Sequence, residues 1–283
     1  MKINILCIGD IVGRPGRHAL SQLLDGMVKE HNVDCVIANA ENAAGGSGLT
    51  PQIYNKLCRY GVHLITLGDH VYRKKDIIPT LESTDNIVRP ANLSPQAAGS
   101  EFAVYHTAKG IRVAVVTLIG RIFMKPADCP YAKIDSLLGK LKTEADIVIV
   151  EMHAEATSEK IAMGIYLDGK VGCVFGTHTH VVTADEKIQP KGTAYITDIG
   201  MTGAHDSVLG RNTDAVIKSF RTQMPFPFSV ATKDVRISGI LVTVDSNSKH
   251  AESIKRIQVR EEANNEDLGY DSDDGKMEPL NGF

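Results

Sequence analysis

Residues 171–180 read VGCVFGTHTH, an apolar run that stops at two histidines one residue apart. The run does not alternate apolar with polar, as a strand with one wet face would, so it reads as a central strand covered on both faces. On an extended segment residues two apart share a face, and the spacing therefore predicts that His178 and His180 address one centre.

The same pattern recurs along the chain. INILCIGD (3–10), VDCVIANAEN (33–42), VHLITLGDH (62–70), RVAVVTLIG (112–120), DIVIVEMHAE (146–155) and TAYITDIG (193–200) are further runs rich in Val, Ile, Leu and Cys. Helical stretches are expected between them near 16–31, 51–60, 73–83, 133–143, 157–168 and 213–222. Thr50 followed by Pro51 is an N-cap with proline at the first helical position. RISGILVTVDS (236–246) and SIKRIQVR (253–260) predict antiparallel strands near a sheet edge, joined by a turn from Asp245 to Lys249. Strands alternating with helices make the fold class α/β.

Composition excludes little on its own. The 283 residues suit one large domain, 43% apolar and 23% charged. The N-terminal apolar run is too short for a signal segment and no run is long enough to span a bilayer, so a cytoplasmic protein is expected, without membrane partners. Five widely spaced cysteines without a CxxC pair argue against a disulfide frame or zinc knuckle, and Cys7, Cys35 and Cys173 read as small core residues. The net charge of −3 conceals a split: residues 261–283 hold eight carboxylates and one lysine, leaving 1–260 with 30 basic and 26 acidic groups, a balance of +4. Residues 1–260 are taken as the domain and 261–283 as a disordered acidic tail. With no Trp and 5% aromatics there is no stacking platform, so nucleic acid is not an expected partner except as RNA ends.

What stands at the carboxyl ends of the strands is more informative. In order they finish with Asp10, Glu41-Asn42, Asp69-His70, His153 with Glu155, and His178-Thr179-His180. Ligands of open α/β sheets bind outside the carboxyl ends of strands, so these groups are expected to converge on one crevice. Each alone has a mundane alternative as a cap, a hydrogen-bonded turn or a satisfied core histidine. Five successive ends offering oxygen or imidazole are not what core packing produces. Carboxylate, amide and imidazole donors without cysteine suit Mn, Fe or Zn. About seven donors are too many for one ion, so two are expected, about 3.5–4 Å apart, clamping a phosphoryl displacement.

The motifs GDIVG, ANAENAAGGSGLTP, LGDH, VRPAN, EMHAEATSEKIAMG, GTHTHVVTAD and GTAYITDIGMTG resemble those of the YmdB-like phosphodiesterases of the calcineurin-like metallophosphoesterase superfamily, from residue 2 to about 260. The resemblance implies a four-layer α/β/β/α sandwich, a homo-oligomer, and hydrolysis of 2',3'-cyclic nucleotides or related phosphodiesters. It also implies two divalent or mixed-valence metal ions, iron foremost, with Mn or Zn as alternatives. Carried over, Asp10, Glu41, Asn42 and His180 would hold one ion, and Glu41, Asp69, His153 and His178 the other, Glu41 bridging. The superfamily's first-motif histidine is missing from Asp10-Ile11-Val12, and Asn42 takes its place. On this reading a hydroxide bridging the ions attacks phosphorus, while His70 protonates the leaving ribose oxygen or stabilises charge on the phosphate.

At one ligand the chain departs from the pattern: relatives carry asparagine where it has Asp69. Three carboxylates and a hydroxide would then offset two divalent ions, weakening attraction for an anionic substrate while holding the metals harder. The Gly-rich stretches lack a P-loop lysine or GxGxxG, which removes support for a dinucleotide-dependent dehydrogenase. Arg89, Arg121 and His205 are weaker candidates for phosphate contact, and Thr157, Ser158 and Glu159 read as a helix start. The rivals are a non-catalytic metal-dependent regulatory protein and a phosphomonoesterase of the same fold.

Overall fold

The computed structural model describes residues 1–262 and 271–274. Two sheets lie face to face. The first has eight strands in the order β2 (Asp10–Ile11), β12 (Met201–Ala204), β13 (Val235–Asp245), β1 (Lys2–Ile8), β3 (Cys35–Asn39), β4 (Leu64–Thr66) and β5 (Ile87–Val88), with β14 (Ala251–Arg260) paired to β13. The second runs β10 (Lys187–Ile188), β11 (Ala194–Ile196), β9 (Cys173–Thr177), β8 (Ile147–His153), β7 (Arg112–Ile119) and β6 (Phe102–His106). Neighbours β1, β3, β4 and β5 are parallel, as are β7, β8, β9 and β11. Their carboxyl ends therefore face one way within each sheet.

Three apolar layers explain why the runs are continuous rather than alternating. Ile3, Ile5 and Cys7 of β1 and Cys35 and Ile37 of β3 meet Val113, Val115, Ile147, Ile149, Cys173 and Phe175 between the sheets. The opposite faces, Leu6, Ile8, Val36 and Ala38, pack under α1 (Gly13–Glu30) and α2 (Pro51–Arg59). Val148, Val150 and Met152 pack under α4 (Pro130–Glu144) and α5 (Thr157–Tyr166). The α/β/β/α sandwich is thus observed, and Cys7, Cys35 and Cys173 are buried free thiols within it.

Thr50 caps α2 as expected, its Oγ1 accepting from Ile53 N at 3.4 Å. The helix expected at 133–143 begins three residues earlier, because Pro130 suits a first turn that lacks N–H partners anyway. The segment after β4 forms a 3-10 turn, Lys75–Ile77, and then the short α3 (Ile78–Ser83). α6 spans Thr213–Thr222, with Asn212 as its cap. The hairpin expected near a sheet edge is present, but only β14 is at the edge. β13 lies inside the sheet, antiparallel to β1 from Lys2↔Asp245 to Ile8↔Gly239.

No helix among the described residues is long and apolar enough to cross a membrane. The expected tail disorder for 263–270 and 275–283 lies outside the described residues. Residues 271–274, in contrast, form a short turn packed against α1, α2 and the segment between β3 and α2. Pairing with basic side chains there outweighs the solvation that an acidic run would otherwise keep.

Ile149, fully buried between the sheets, is a measure of how far the two layers depend on each other. Ile149→Ala is expected to lower the unfolding free energy by about 3–4 kcal/mol, read from denaturant melts.

Candidate metal centre

All eight side chains expected at the site come together at the carboxyl ends of the strands. Glu41, Asp69, His153 and His178 each present a ligand-type atom, and these four atoms lie within 4.8 Å of one another. His153 Nε2 is 3.1 Å from Glu41 Oε1 and 3.2 Å from Asp69 Oδ1, and His178 Nδ1 is 3.1 Å from His153 Nε2. Beside this group Asn42 Nδ2 is 3.1 Å from His180 Nε2 and 3.4 Å from Glu41 Oε1, while His180 Nε2 is 3.8 Å from Asp10 Oδ1. Glu41 belongs to both groups. His70 stands at the margin, its Nδ1 2.7 Å from Asn42 Oδ1 and its Nε2 3.7 Å from Asp69 Oδ2.

The polypeptide reaches this arrangement by turns rather than by extended strand. β9 ends at Thr177, and His178 and His180 both adopt left-handed backbone, with φ of 90° and 62°. This corrects the expectation from extended spacing: the two imidazoles converge because the chain coils back on itself after the strand, not because they share a pleat. A buried ion pair fixes that turn. Lys160 Nζ donates to Asp198 Oδ2 at 2.7 Å, and the same oxygen accepts from Thr179 Oγ1 at 2.6 Å and Thr179 N at 3.3 Å. Gly68 serves the opposite wall, since a Cβ there would lie 2.2 Å from His153 Nε2. Only glycine lets the strand end bearing Asp69 approach so closely.

Each imidazole is also held from behind. Thr177 Oγ1 donates to Glu151 Oε1 at 2.6 Å, so it accepts from His153 Nδ1 at 2.9 Å, which turns Nε2 toward Glu41 and Asp69. His180 Nδ1 donates to Leu209 O at 3.1 Å, leaving Nε2 inward. His178 points Nδ1 inward, with Glu155 Oε2 3.2 Å from its Nε2. Pairing of the remote nitrogen with carboxylate, carbonyl or hydroxyl is what orients metal-bound histidines. Asn39 joins the sheets behind the site, donating to Glu151 Oε1 at 2.6 Å and accepting from Glu41 N at 3.0 Å.

The electrostatics also call for a cation. Asp10 is fully buried and, among the described residues, its Oδ1 has no hydrogen-bond partner. Burial, with the Glu41 charge adding to it against the pull of His153, pushes the Asp10 carboxyl up to about 8. Burial opposes charge on Asp69 and Glu41 too, yet neighbouring histidines hold both below the usual carboxylate range. His153 is buried, which disfavours its charge, but the same carboxylates hold it well above an ordinary imidazole. Burial pushes His180 down to about 4 and lowers His70. The unpartnered Asp10 oxygen, the carboxylates of Glu41 and Asp69 and the inward imidazole nitrogens fit metal ions, while Asn42, whose Nδ2 faces His180, would offer its oxygen there with the amide turned over.

The chain's relatives agree with this geometry. The sequence pattern of the family described as YmdB-like protein matches residues 6–257. The chain belongs to the YmdB-like family. A 2',3'-cyclic-nucleotide 2'-phosphodiesterase of Bacillus subtilis (strain 168) is 42% identical over 260 residues, 92% of this chain and 98% of that protein. The crystal structure of a hypothetical protein from Thermus thermophilus superposes with a TM-score of 0.86 at 39% identity, covering 92% of this chain and 100% of that one. A structure described as a novel phosphatase, from Mycoplasma pneumoniae, gives 0.86 at 34% identity, with 92% and 94% covered. The YmdB-like chain described here therefore carries a metal-type donor cluster within a metallophosphoesterase fold.

Among the weaker candidates, the side chains of Arg89 and His205 and the backbone of Arg121 make contacts within the fold. Arg89 is buried, donating to Ala97 O at 3.1 Å and Pro90 O at 2.9 Å. Arg121 and Ile122 donate their backbone N–H groups to Glu159, near the start of α5. His205 Nε2 is 3.3 Å from Met201 O. The sequence reading missed Asn39, Glu151, Thr177, Lys160 and Asp198. Glu151 within IVIVEMH carried the one available signal, a carboxylate inside an otherwise apolar strand.

Thr177→Val removes the hydroxyl that fixes the His153 tautomer while keeping the side chain's shape. Mn²⁺ affinity, measured by titration calorimetry, is expected to fall about 10–100-fold.

Proposed function

We propose that the chain is a dinuclear-metal phosphodiesterase that hydrolyses 2',3'-cyclic nucleotides or related phosphodiesters. The observation that carries this reading is the convergence of Glu41, Asp69, His153 and His178 beside Asp10, Asn42 and His180, in a chain 42% identical to a 2',3'-cyclic-nucleotide 2'-phosphodiesterase.

Asp10, Glu41, Asn42 and His180 would hold one ion, and Glu41, Asp69, His153 and His178 the other. Bound ions supply positive charge against the phosphate and lower the pKa of water at the site. The chain's own residues do the rest. Asn42 Oδ1 accepts from His70 Nδ1, and this leaves His70 Nε2 as the atom presented to a substrate. As the imidazolium, His70 would give its Nε2 proton to the departing ribose oxygen and be left neutral with its Nδ1 proton on Asn42 Oδ1; in the same charged form it would steady charge growing on the phosphate. The walls around the site are buried strand ends, which exclude water and strengthen each of these interactions.

Mixed carboxylate, amide and imidazole donors without cysteine suit Fe, Mn or Zn, and the family resemblance puts iron foremost on this reading. Five free cysteines support residence in the reducing cytoplasm. Exposed Ile217, Phe220 and Met224, on and just after α6, support a homo-oligomer.

The test is turnover of 2',3'-cAMP by protein stripped with chelator and reloaded with Fe or Mn. Hydrolysis to a ring-opened phosphomonoester is expected, and metal-saturated protein without turnover would mean a regulatory role instead. His70→Ala is expected to lower kcat about 10²–10⁴-fold with metal content unchanged, by single-turnover assay and metal analysis. Asp69→Asn, which introduces the residue the family resemblance implies at this position, is expected to keep both metals and to preserve or raise activity. Loss of metal from that variant would sink the account of Asp69 as a ligand.

A further inference from the structure

Away from the metal centre, a second concentration of buried charge lies where the acidic segment Asp271–Asp274 meets α1 and α2. Arg17 of α1 has only 4% of its side chain exposed, and its partners are few and specific. Its Nη1 donates to Ala43 O and to Asp274 Oδ1, both at 2.5 Å, and its Nη2 to Asp271 Oδ2 at 2.9 Å. Arg14 Nε lies 3.6 Å from the same Asp271 oxygen, and Lys56 of α2 pairs with Asp273. Asp274 is buried and fully used: Oδ1 also accepts from Gly45 N at 2.7 Å, and Oδ2 accepts from Asp271 N at 2.9 Å. Thr50 Oγ1, the cap of α2, donates to Asp273 O at 2.8 Å.

We propose that Asp271–Asp274 is an intramolecular ligand of the Arg14–Arg17–Lys56 cradle and holds the 43–50 turn, and through it Glu41 and Asn42, in metal-binding shape. The residues touched by the segment or by Arg17, namely Ala43, Gly45 and Thr50, follow Glu41 and Asn42 directly in the chain. The turn is gripped from its other side by Arg211, which donates to Gly45 O at 3.1 Å and to Gly46 O. Arg211 lies two residues after Leu209, whose carbonyl orients His180. Removing the segment would leave Arg17 with Ala43 O alone among the partners named here, and would leave the Gly45 N–H without its acceptor. An uncompensated buried cation is costly, so the turn would have to move to relieve it. The segment lies beyond residues 6–257, the span matched by the family pattern.

The proposal rests on Glu41 and Asn42 being metal ligands, and two readouts on the full chain separate its failure from the failure of that assignment. One is amide hydrogen exchange of the 43–50 turn in metal-free protein. The other is Mn²⁺ affinity by titration calorimetry. Asp271→Asn with Asp274→Asn is compared with a control of equal charge change at exposed helix positions, Glu30→Gln with Glu82→Gln. In the test variant the turn is expected to exchange about tenfold faster, and Mn²⁺ to bind about tenfold more weakly. The control should match the parent in both. Unchanged exchange in a folded variant overturns the docking, and faster exchange with intact Mn²⁺ affinity overturns the coupling to the site. If the parent itself binds no Mn²⁺, the ligand assignment has failed and the exchange result alone judges the docking. Should the double variant not fold, Asp273→Asn, at the Lys56 rim, gives both readouts at smaller amplitude.

Discussion

Three carboxylates, Asp10, Glu41 and Asp69, are drawn into one crevice lined by the carboxyl ends of two sheets, and the rest of the site depends on how that concentration of negative charge is tolerated. Asp10 and Glu41 are buried, and Asp69 is largely so. Burying carboxylates without compensation costs far more than packing returns, so such a cluster persists only where cations or protons answer it. Burial pushes the Asp10 carboxyl up, the facing carboxylates hold His153 above an ordinary imidazole, and neighbouring histidines hold Glu41 and Asp69 below the usual carboxylate range. This is the charge pattern of a place prepared for positive ions. The sandwich makes the cluster possible: the layer between the sheets sets β3 and β8 back to back, so that Glu41 and His153 meet.

Much of this was legible in the sequence. Continuous apolar runs marked the strands because both faces of each sheet are covered, by the other sheet on one side and helices on the other. Polar residues at the ends of those runs marked the site, because a parallel sheet points its carboxyl ends one way. What was not legible were the contacts made across the sandwich. Nothing near Glu151 in sequence announces that it braces Thr177, 26 residues away, or Asn39, 112 away. Lys160 sits on a helix in a setting that reads as solvent-facing, yet it is buried against Asp198. β6 escaped notice because its faces are only partly buried, and FAVYH has no long apolar run. The docked part of the tail escaped because an acidic run looks solvated until its basic partners, more than two hundred residues away in sequence, are placed beside it.

Behind the ligands stands a set of fixed proton positions. Thr177 cannot donate to His153, since its single proton goes to Glu151; Leu209 O can only accept from His180. In the neutral form of His153 and of His180 the lone pair therefore falls on the inward-facing nitrogen. Neither ring has to turn over when a cation arrives: His153 has only to release its Nε2 proton, and affinity that would otherwise be lost in choosing a tautomer is kept.

The turn after β9 shows why these supports must be strong. His178 and His180 both sit in left-handed backbone, a conformation that costs about 1–2 kcal/mol for a residue with a Cβ. Glycine would remove that strain, but it would also remove the two imidazoles. The strain is offset by Asp198, which takes hydrogen bonds from Thr179 N, Thr179 Oγ1 and Gly200 N while Lys160 neutralises it. A fully buried ion pair is a poor source of net stability, because desolvation cancels most of its attraction. Its value here is geometric: moving Thr179 out of place would strip a buried carboxylate of two donors, so the turn has no cheap alternative shape. The histidines therefore stay where the metal site requires them despite a backbone that disfavours it.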